Sequence, residues 1–138
     1  MAVISATVTP VLGQGSRPLK DHLDNGWRWA KVKITIPTGT NYARADGIRL
    51  IGPYDNDFYS MYGARVIYQV LCATVAFPSI STGTVKFRWN TTNQRANLFI
   101  VGNGGSVAPA GPQDEAEVAD AQAIGSGPNT AEALIFYP

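Results

Sequence analysis

His22 is the residue whose type most directly suggests catalysis, and it is the one histidine among 138 residues. It stands in the stretch KDHLDNG beside Asp21 and Asp24, and a His–Asp pair can activate a serine or cysteine within reach. No serine occupies a GxSxG elbow. Cys72 lies in the apolar run VIYQVLCATVAF, which predicts a strand and a small buried thiol. A solvated loop histidine is favoured over a catalytic one, and we expect a protein that is not an enzyme.

Residues that could hold a metal are few. One His and one Cys, 50 residues apart, are too few ligands for a zinc site. The run Asp55, Asn56 and Asp57 opens like a calcium loop, but Ser60 and Val66 stand where an EF-hand needs Gly and Glu. Turn chemistry is the favoured interpretation, and a calcium loop of another type is the alternative. We predict no metal and no cofactor.

Residues 27–37, WRWAKVKITIP, predict a strand because their side chains sort onto two faces at a period of two. The better core face carries Ala30, Val32, Ile34 and Ile36. The opposite face carries Trp27, Trp29, Lys31 and Lys33. That face could bind a partner, or it could be one side of a packed sheet whose lysines reach solvent.

Four more aromatic residues cluster in the aromatic loop, residues 54–62, which follows Pro53. A loop that carries four rings must bury some of them. It either folds over one end of the core or forms a contact between subunits, where Tyr, Phe and Met are enriched. The residues concerned are Tyr54, Phe58, Tyr59, Met61 and Tyr62.

Two outward tryptophans need a cover, because each indole buries a large apolar area. We favour a cover supplied by the protein itself: the N-terminal segment, the aromatic loop or a neighbouring subunit. A sugar-binding face with coplanar rings and a nucleic-acid surface of stacked bases beside cations are the alternatives. The net charge of +1 argues against nucleic acid as the main partner, since that affinity rests on clustered Lys and Arg.

The elements that must position these residues are strands. Strand patterns separated by Gly and Pro turns cover residues 2–9, 27–36, 48–51, 64–77, 84–90, 96–101 and 133–137, with a loop at 11–26. They predict one all-β domain over 1–138, an antiparallel β-sandwich or barrel of jelly-roll-like character. No stretch approaches 18 apolar residues, so we expect no membrane partner.

The two ends of the chain differ from this pattern. Residues 1–16 read as an extended arm. Residues 102–130 form a long Gly/Pro-rich, acidic excursion, far longer than a usual connection of about 4–6 residues, which we expect to order on a partner. Within it, 112–123 is either a short helix or an acidic loop.

The charge of the chain is low and unevenly placed. Charged residues make up 15% of the sequence, against about 25% in an average domain. All 11 Lys and Arg lie in the first 95 residues, and five of the 10 acids lie beyond them. This division suggests self-complementarity, with the acidic segment on a basic neighbour within the chain or across subunits.

An all-β core, an arm-like N-terminus MAVISATVTP, low charge and the excursion GNGGSVAPAGP together resemble the small capsid decoration (cement) proteins of tailed bacteriophages. The resemblance lies in overall character across the whole chain. It implies a virion protein, made in the host cytoplasm, that sits on the outer capsid surface, often as a homotrimer, and binds major capsid proteins at their junctions. The flexible arm would reach the shell.

On this hypothesis the arm and the aromatic loop make the contacts, and deleting residues 1–9 would abolish attachment without unfolding the protein. The candidate contact residues are Val3, Ile4, Val8, Trp27, Trp29, Tyr54, Phe58, Tyr59, Met61 and Tyr62. The alternatives are a carbohydrate-binding β-sandwich module that uses Trp27, Trp29 and Tyr59, or another head–tail structural component of a phage.

Overall fold

The structure, a computed structural model, describes residues 4–50, 58–79, 83–102, 115–118, 120, 122–125 and 127–138. Within these residues the chain is built almost entirely of strands, which confirms the all-β prediction. The strands are β1 Ile4–Ser5, β2 Thr7–Pro10, β3 Lys20–His22, β4 Arg28–Ile36, β5 Thr40–Asn41, β6 Ile48–Arg49, β7 Gln69–Ala76, β8 Gly83–Asn90, β9 Arg95–Gly102, β10 Glu115–Glu117, β11 Ala123–Ile124 and β12 Asn129–Tyr137.

The larger sheet has the antiparallel order β2-β4-β12-β7. β12 pairs with β4 over its whole length, from Asn129 opposite Ile36 to Tyr137 opposite Arg28. On its other edge β12 pairs with β7, with one register irregularity between Glu132 and Ala133. The free edge of β4 is shared by β2 and β3, which pair with successive parts of it.

The smaller sheet is centred on β9. β8 pairs with β9 along its full length, while β6 and β10 pair with the two ends of its other edge. β1 adds to β6 as a parallel neighbour. β5 and β11 form a separate two-stranded antiparallel ribbon.

One apolar core joins the two sheets, as expected for a sandwich; the sheets do not close into a barrel. The even-numbered face of β4, from Ala30 to Ile36, is at most 1% exposed, which confirms the predicted core face. Its side chains share a cluster with Leu98 of β9 and Ile48 of β6, from the smaller sheet. Alternation at a period of two therefore directs one side of every long strand into the same interior.

The N-terminal residues are not an arm in this fold. Ile4 of β1 lies opposite Ile48 in the smaller sheet, and Val8 of β2 lies opposite Ile34 in the larger one. Between them the Ala6 amide donates to the Arg49 carbonyl at 2.9 Å. Residues 4–10 thus cross from one sheet to the other, with Ile4 and Val8 inside the core. This corrects the expectation that residues 1–9 can be removed without affecting the fold.

Three other predicted loops contain regular structure. The 11–26 segment contributes a 3-10 turn at Gln14–Ser16 and the strand β3. The aromatic loop ends in a short helix, α1, Phe58–Tyr62. The 102–130 segment contributes β10, β11 and the start of β12, so residues 115–117 are a strand and not part of a helix. Alanine-rich sequence gives a weak local signal, and pairing with β9 decides the outcome.

Hydrogen bonds from Arg44 hold the part of the acidic segment that contains Glu117, Val118 and Asp120. Arg44 donates from Nε to the Val118 carbonyl at 3.0 Å and from Nη2 to the Glu117 carbonyl at 3.1 Å. Its backbone amide donates to the Asp120 carboxylate at 2.7 Å. Within the described chain the guanidinium donates to backbone carbonyls and not to carboxylates, so charge complementarity between the basic and acidic parts of the chain stays a prediction.

Tyr42 is the buried polar centre of this region. Its hydroxyl donates to Glu117 Oε1 at 2.7 Å and accepts from the Leu98 amide at 3.0 Å and from Asn97 Nδ2 at 3.3 Å. Burial, followed by the hydrogen bond to Glu117, raises the pKa of Tyr42 to about 12. One phenol thus links β5, β9 and β10.

Replacing Val8 with Ala should lower the free energy of unfolding by about 2 kcal/mol, because two buried methyl groups are lost and a cavity is left. Urea unfolding followed by circular dichroism measures this. Thr9→Ala is the matched control: Thr9 is exposed on the other face of β2 and should change stability by less than about 0.5 kcal/mol. Equal effects of the two variants would contradict the core position of Val8.

Tyr42→Phe should cost roughly 1–3 kcal/mol, because Glu117 Oε1 and the Leu98 amide lose a buried partner. The substitution should also make the free energy of unfolding fall less steeply with rising pH above about 10. An unfolded tyrosine ionises near pH 10, whereas folded Tyr42 keeps its proton to about 12. The folded state therefore holds the extra proton, and stability falls as pH rises through this window. If the slope between pH 10 and 12 is unchanged in the variant, Tyr42 is not the group responsible.

Candidate binding face

The predicted contact residues separate into buried and accessible groups. Ile4, Val8, Phe58 and Tyr62 lie in the core, so a partner cannot reach their side chains in this fold. Their interpretation as contact residues is corrected: local sequence showed apolar and aromatic character but not on which side of the fold they lie. Met61 is half-buried and packs against the core. Val3, Tyr54 and the side chain of Tyr59 lie outside the described residues.

Trp27 and Trp29 lie on the outer face of the larger sheet, as the alternation predicted. Among the described residues, the rings that partly cover Trp27 belong to Tyr68 and Phe136 of the same chain. The Trp27 ring lies 4.8 Å from the Tyr68 ring and 6.5 Å from the Phe136 ring, centroid to centroid. Trp29 lies directly opposite Phe136 on β12. Trp27 nevertheless remains 39% exposed.

We call the outer surface formed by these rings and their apolar neighbours the aromatic face. Its aliphatic part arises where Leu134 on β12 lies opposite Leu71 on β7. Leu71 is 51% exposed, although it belongs to a long apolar strand. The members of the aromatic face are Trp27, Trp29, Tyr68, Leu71, Leu134 and Phe136.

Charged groups border the aromatic face along β4. Lys31 lies opposite Leu134, and Lys33 lies opposite Glu132. Asp21 on β3 lies opposite Trp29. The face therefore has an apolar centre with a mixed charged border, the arrangement that protein–protein interfaces show.

The sequence-based prediction of contact residues did not include four members of this face: Tyr68, Leu71, Leu134 and Phe136. The signal for Leu134 and Phe136 was present in the alternation of the last strand. Their position beside the tryptophans depends on the β4–β12 register, which links residues about 100 positions apart. Leu71 is exposed because it alternates with buried Val70 on β7, and its place in the face depends on its pairing with Leu134.

The histidine lies elsewhere, at one end of the larger sheet. Lys20, Asp21, His22, Arg28 and Tyr137 line a small pocket of about 140 Å³. Asp24 does not line it, and Asp57 lies outside the described residues. The Asp21 carboxylate accepts from the His22 backbone amide at 2.8 Å instead of orienting the imidazole. No serine, threonine or cysteine of the described chain lines this pocket.

Cys72 is half-buried within β7, and its environment disfavours the thiolate. Burial raises the pKa of this thiol to about 11, so the sulfur keeps its proton near neutral pH. A protonated thiol is a poor nucleophile and a poor metal ligand. Among the described residues no three His, Cys, Asp or Glu side chains come together as a metal site would require. In the same residues, no helix has the length and apolarity needed to cross a bilayer.

Acrylamide quenching of tryptophan fluorescence tests the geometry of the aromatic face. Trp27 is more exposed than Trp29 and Trp89, and the Trp89 indole donates to the Ile67 carbonyl at 3.1 Å. Trp27→Phe should therefore remove the largest share of quenchable emission. Trp89→Phe is the matched control and should remove little. The opposite order would contradict the placement of Trp27.

Comparison of the chain with protein-family models, curated proteins and solved structures gave no match. Function must therefore be argued from the surfaces that the fold creates. Among the sequence-predicted candidates that the structure describes, Trp27 is the exposed large apolar side chain, and it belongs to the aromatic face. That face contains Trp27 and Trp29, but not the residues of the N-terminal segment or of α1.

Proposed function

We propose that this protein is a non-enzymatic structural component of a virion, a capsid decoration protein that attaches through the aromatic face. The observation that carries the proposal is the exposure of Trp27 and Leu71 beside Tyr68 and Phe136 on one continuous sheet face. Apolar surface of this kind is costly in water and typical of contact with another macromolecule. The overall resemblance to capsid decoration proteins supplies the class of partner, a major capsid protein.

The composition of the face supports a protein partner over a small ligand. Aromatic side chains bring a large contact area with few rotatable bonds, and Trp and Tyr dominate the binding energy of many interfaces. The Lys31 and Lys33 ammonium groups at the border would favour an acidic surface opposite them and fix the docking orientation. Tyr68 and Phe136 hold Trp27 from two sides, which reduces the entropy it loses on docking.

Decoration would act mechanically. Internal pressure in a filled capsid pulls neighbouring subunits apart at their junctions. A protein that binds two or three subunits at such a junction adds binding energy that opposes this separation. Multivalent attachment, for example as a homotrimer, raises that energy without new chemistry. Closed cyclic symmetry would match the local symmetry of the shell.

The rings that contact Trp27 do not favour the alternative of a flat sugar platform, because such a platform needs coplanar rings. The Trp27 plane is tilted by 43° from Tyr68 and by 55° from Phe136, so the rings do not form one stacking surface. A tilted group of rings fits side chains that insert between them better than a planar sugar face.

Sedimentation tests attachment. In a lysate of its source, the native protein should travel with a megadalton particle and leave it only under denaturing or chelating conditions. Protein that remains near the top of the gradient as a 14.8 kDa chain or a small oligomer would refute the proposal.

Rebinding of purified variants to stripped particles then tests the face. Leu71→Ser should weaken attachment at least tenfold, and Trp27→Ala by more, because both truncate exposed apolar contacts. Leu12→Ser is the matched control, since Leu12 is 54% exposed but lies in the β2–β3 connection. Equal loss with Leu12→Ser and Leu71→Ser would show that attachment does not use this face.

A further inference from the structure

A second surface, on the outer side of the smaller sheet, has a different chemistry. An open groove of about 630 Å³ lies over β8, β9 and β10, within the size range of small-molecule sites. We call it the polar groove. The residues that carry the argument are Arg44, Arg88, Asn93, Asn97, Phe99 and Glu117.

The polar side chains of the groove are held in place by bonds behind them. Asn97 Nδ2 donates to Glu117 Oε1 at 2.9 Å, and the buried Tyr42 hydroxyl donates to the same oxygen at 2.7 Å. Arg44 is fixed by the carbonyls of Glu117 and Val118. Such support reduces the cost of ordering these groups around a ligand.

The supported groups still offer hydrogen bonds of both kinds. Asn97 and Glu117 line the groove, and within the described part of the chain Glu117 Oε2 and Asn97 Oδ1 accept no hydrogen bond. Arg44 brings guanidinium donors to the same wall. The Arg88 guanidinium lies 4.7 Å from the centroid of the Phe99 ring, a cation–π contact that adds a positive charge beside these polar groups.

The combination of hydrogen-bond acceptors, guanidinium donors and charges of both signs in the groove indicates which class of ligand it can bind. The Glu117 carboxylate would repel a simple anion, and the guanidinium groups of Arg44 and Arg88 would repel a simple cation. An apolar ligand would desolvate these groups without replacing their hydrogen bonds to water, which is costly. A ligand rich in hydroxyls can donate to Glu117 and Asn97 and accept from Arg44 at once. We propose that the polar groove binds a saccharide.

This proposal does not depend on attachment through the aromatic face, because the two surfaces belong to different sheets and share no residue. The surfaces adjoin where the Thr91 hydroxyl donates to the Tyr68 carbonyl at 3.2 Å. Arg88, Asn97 and Phe99 nevertheless lie on the outward positions of the smaller sheet. The saccharide site and the docking face can therefore be tested on the same variants with separate outcomes.

The first test is binding of the fluorescently labelled full chain to an array of immobilised oligosaccharides, followed by titration of the free sugar that gives the strongest signal. We expect at least one saccharide to bind with a Kd below 1 mM. Arg88→Ala should weaken binding at least tenfold, and Asn93→Ala about threefold. Failure of every saccharide on the array, when tested at millimolar concentration, would overturn the proposal.

The controls lie next to these positions on the chain. Lys86→Ala removes an exposed cation two residues before Arg88 on β8, and Thr92→Ala removes a side chain beside Asn93; neither Lys86 nor Thr92 lines the groove. Both control variants should bind like the wild type, and the circular dichroism of all four variants should show that the all-β fold is kept. Binding that is lost in Trp27→Ala but kept in Arg88→Ala would place the sugar on the aromatic face and overturn the proposal. Competition by phosphate but not by free sugar would also overturn it.

Discussion

The alternation along β12 is the constraint on which the rest of the fold depends. From Asn129 to Tyr137 every second side chain is buried, and the strand is paired on both edges. A slip of one residue would exchange its two faces and expose Ala131, Ala133 and Ile135. The same register sets Phe136 opposite Trp29 and Leu134 opposite Lys31. Core and outer surface are therefore determined together by one strand.

Two further ties hold the sheets in one arrangement. At one side, residues 4–10 pass from the smaller to the larger sheet and place an apolar side chain in the core from each. At the other, Tyr42 and Arg44 bind the acidic strand β10 through its side chains and carbonyls. The chain thus joins its basic and acidic parts by specific hydrogen bonds, from the Arg44 guanidinium to backbone carbonyls and from the part-buried Tyr42 hydroxyl to the Glu117 carboxylate.

The two sheets present outer surfaces with opposite chemistry. The larger sheet displays tilted rings and leucines bordered by lysines, which suits another protein. The smaller sheet displays amide, carboxylate and guanidinium groups fixed around a groove, which suits a ligand rich in hydroxyls. Part of each surface stands on outward positions of long paired strands, Trp29 and Phe136 in one and Arg88 and Asn97 in the other, so these side chains need little reorganisation on binding. Such a division would let one small domain attach on one side and recognise a ligand on the other.

The sequence by itself determined the fold class, the long strands and the core face of β4, because a period of two is a local property of the chain. It also placed Trp27 and Trp29 outward. Tertiary structure alone decided that Ile4, Val8 and Phe58 are core residues, since apolar side chains look alike whether they meet a core or a partner. It alone brought Phe136 to Trp27 and Glu117 to Tyr42 and Asn97. Those contacts depend on registers between distant strands, and no local pattern encodes a register.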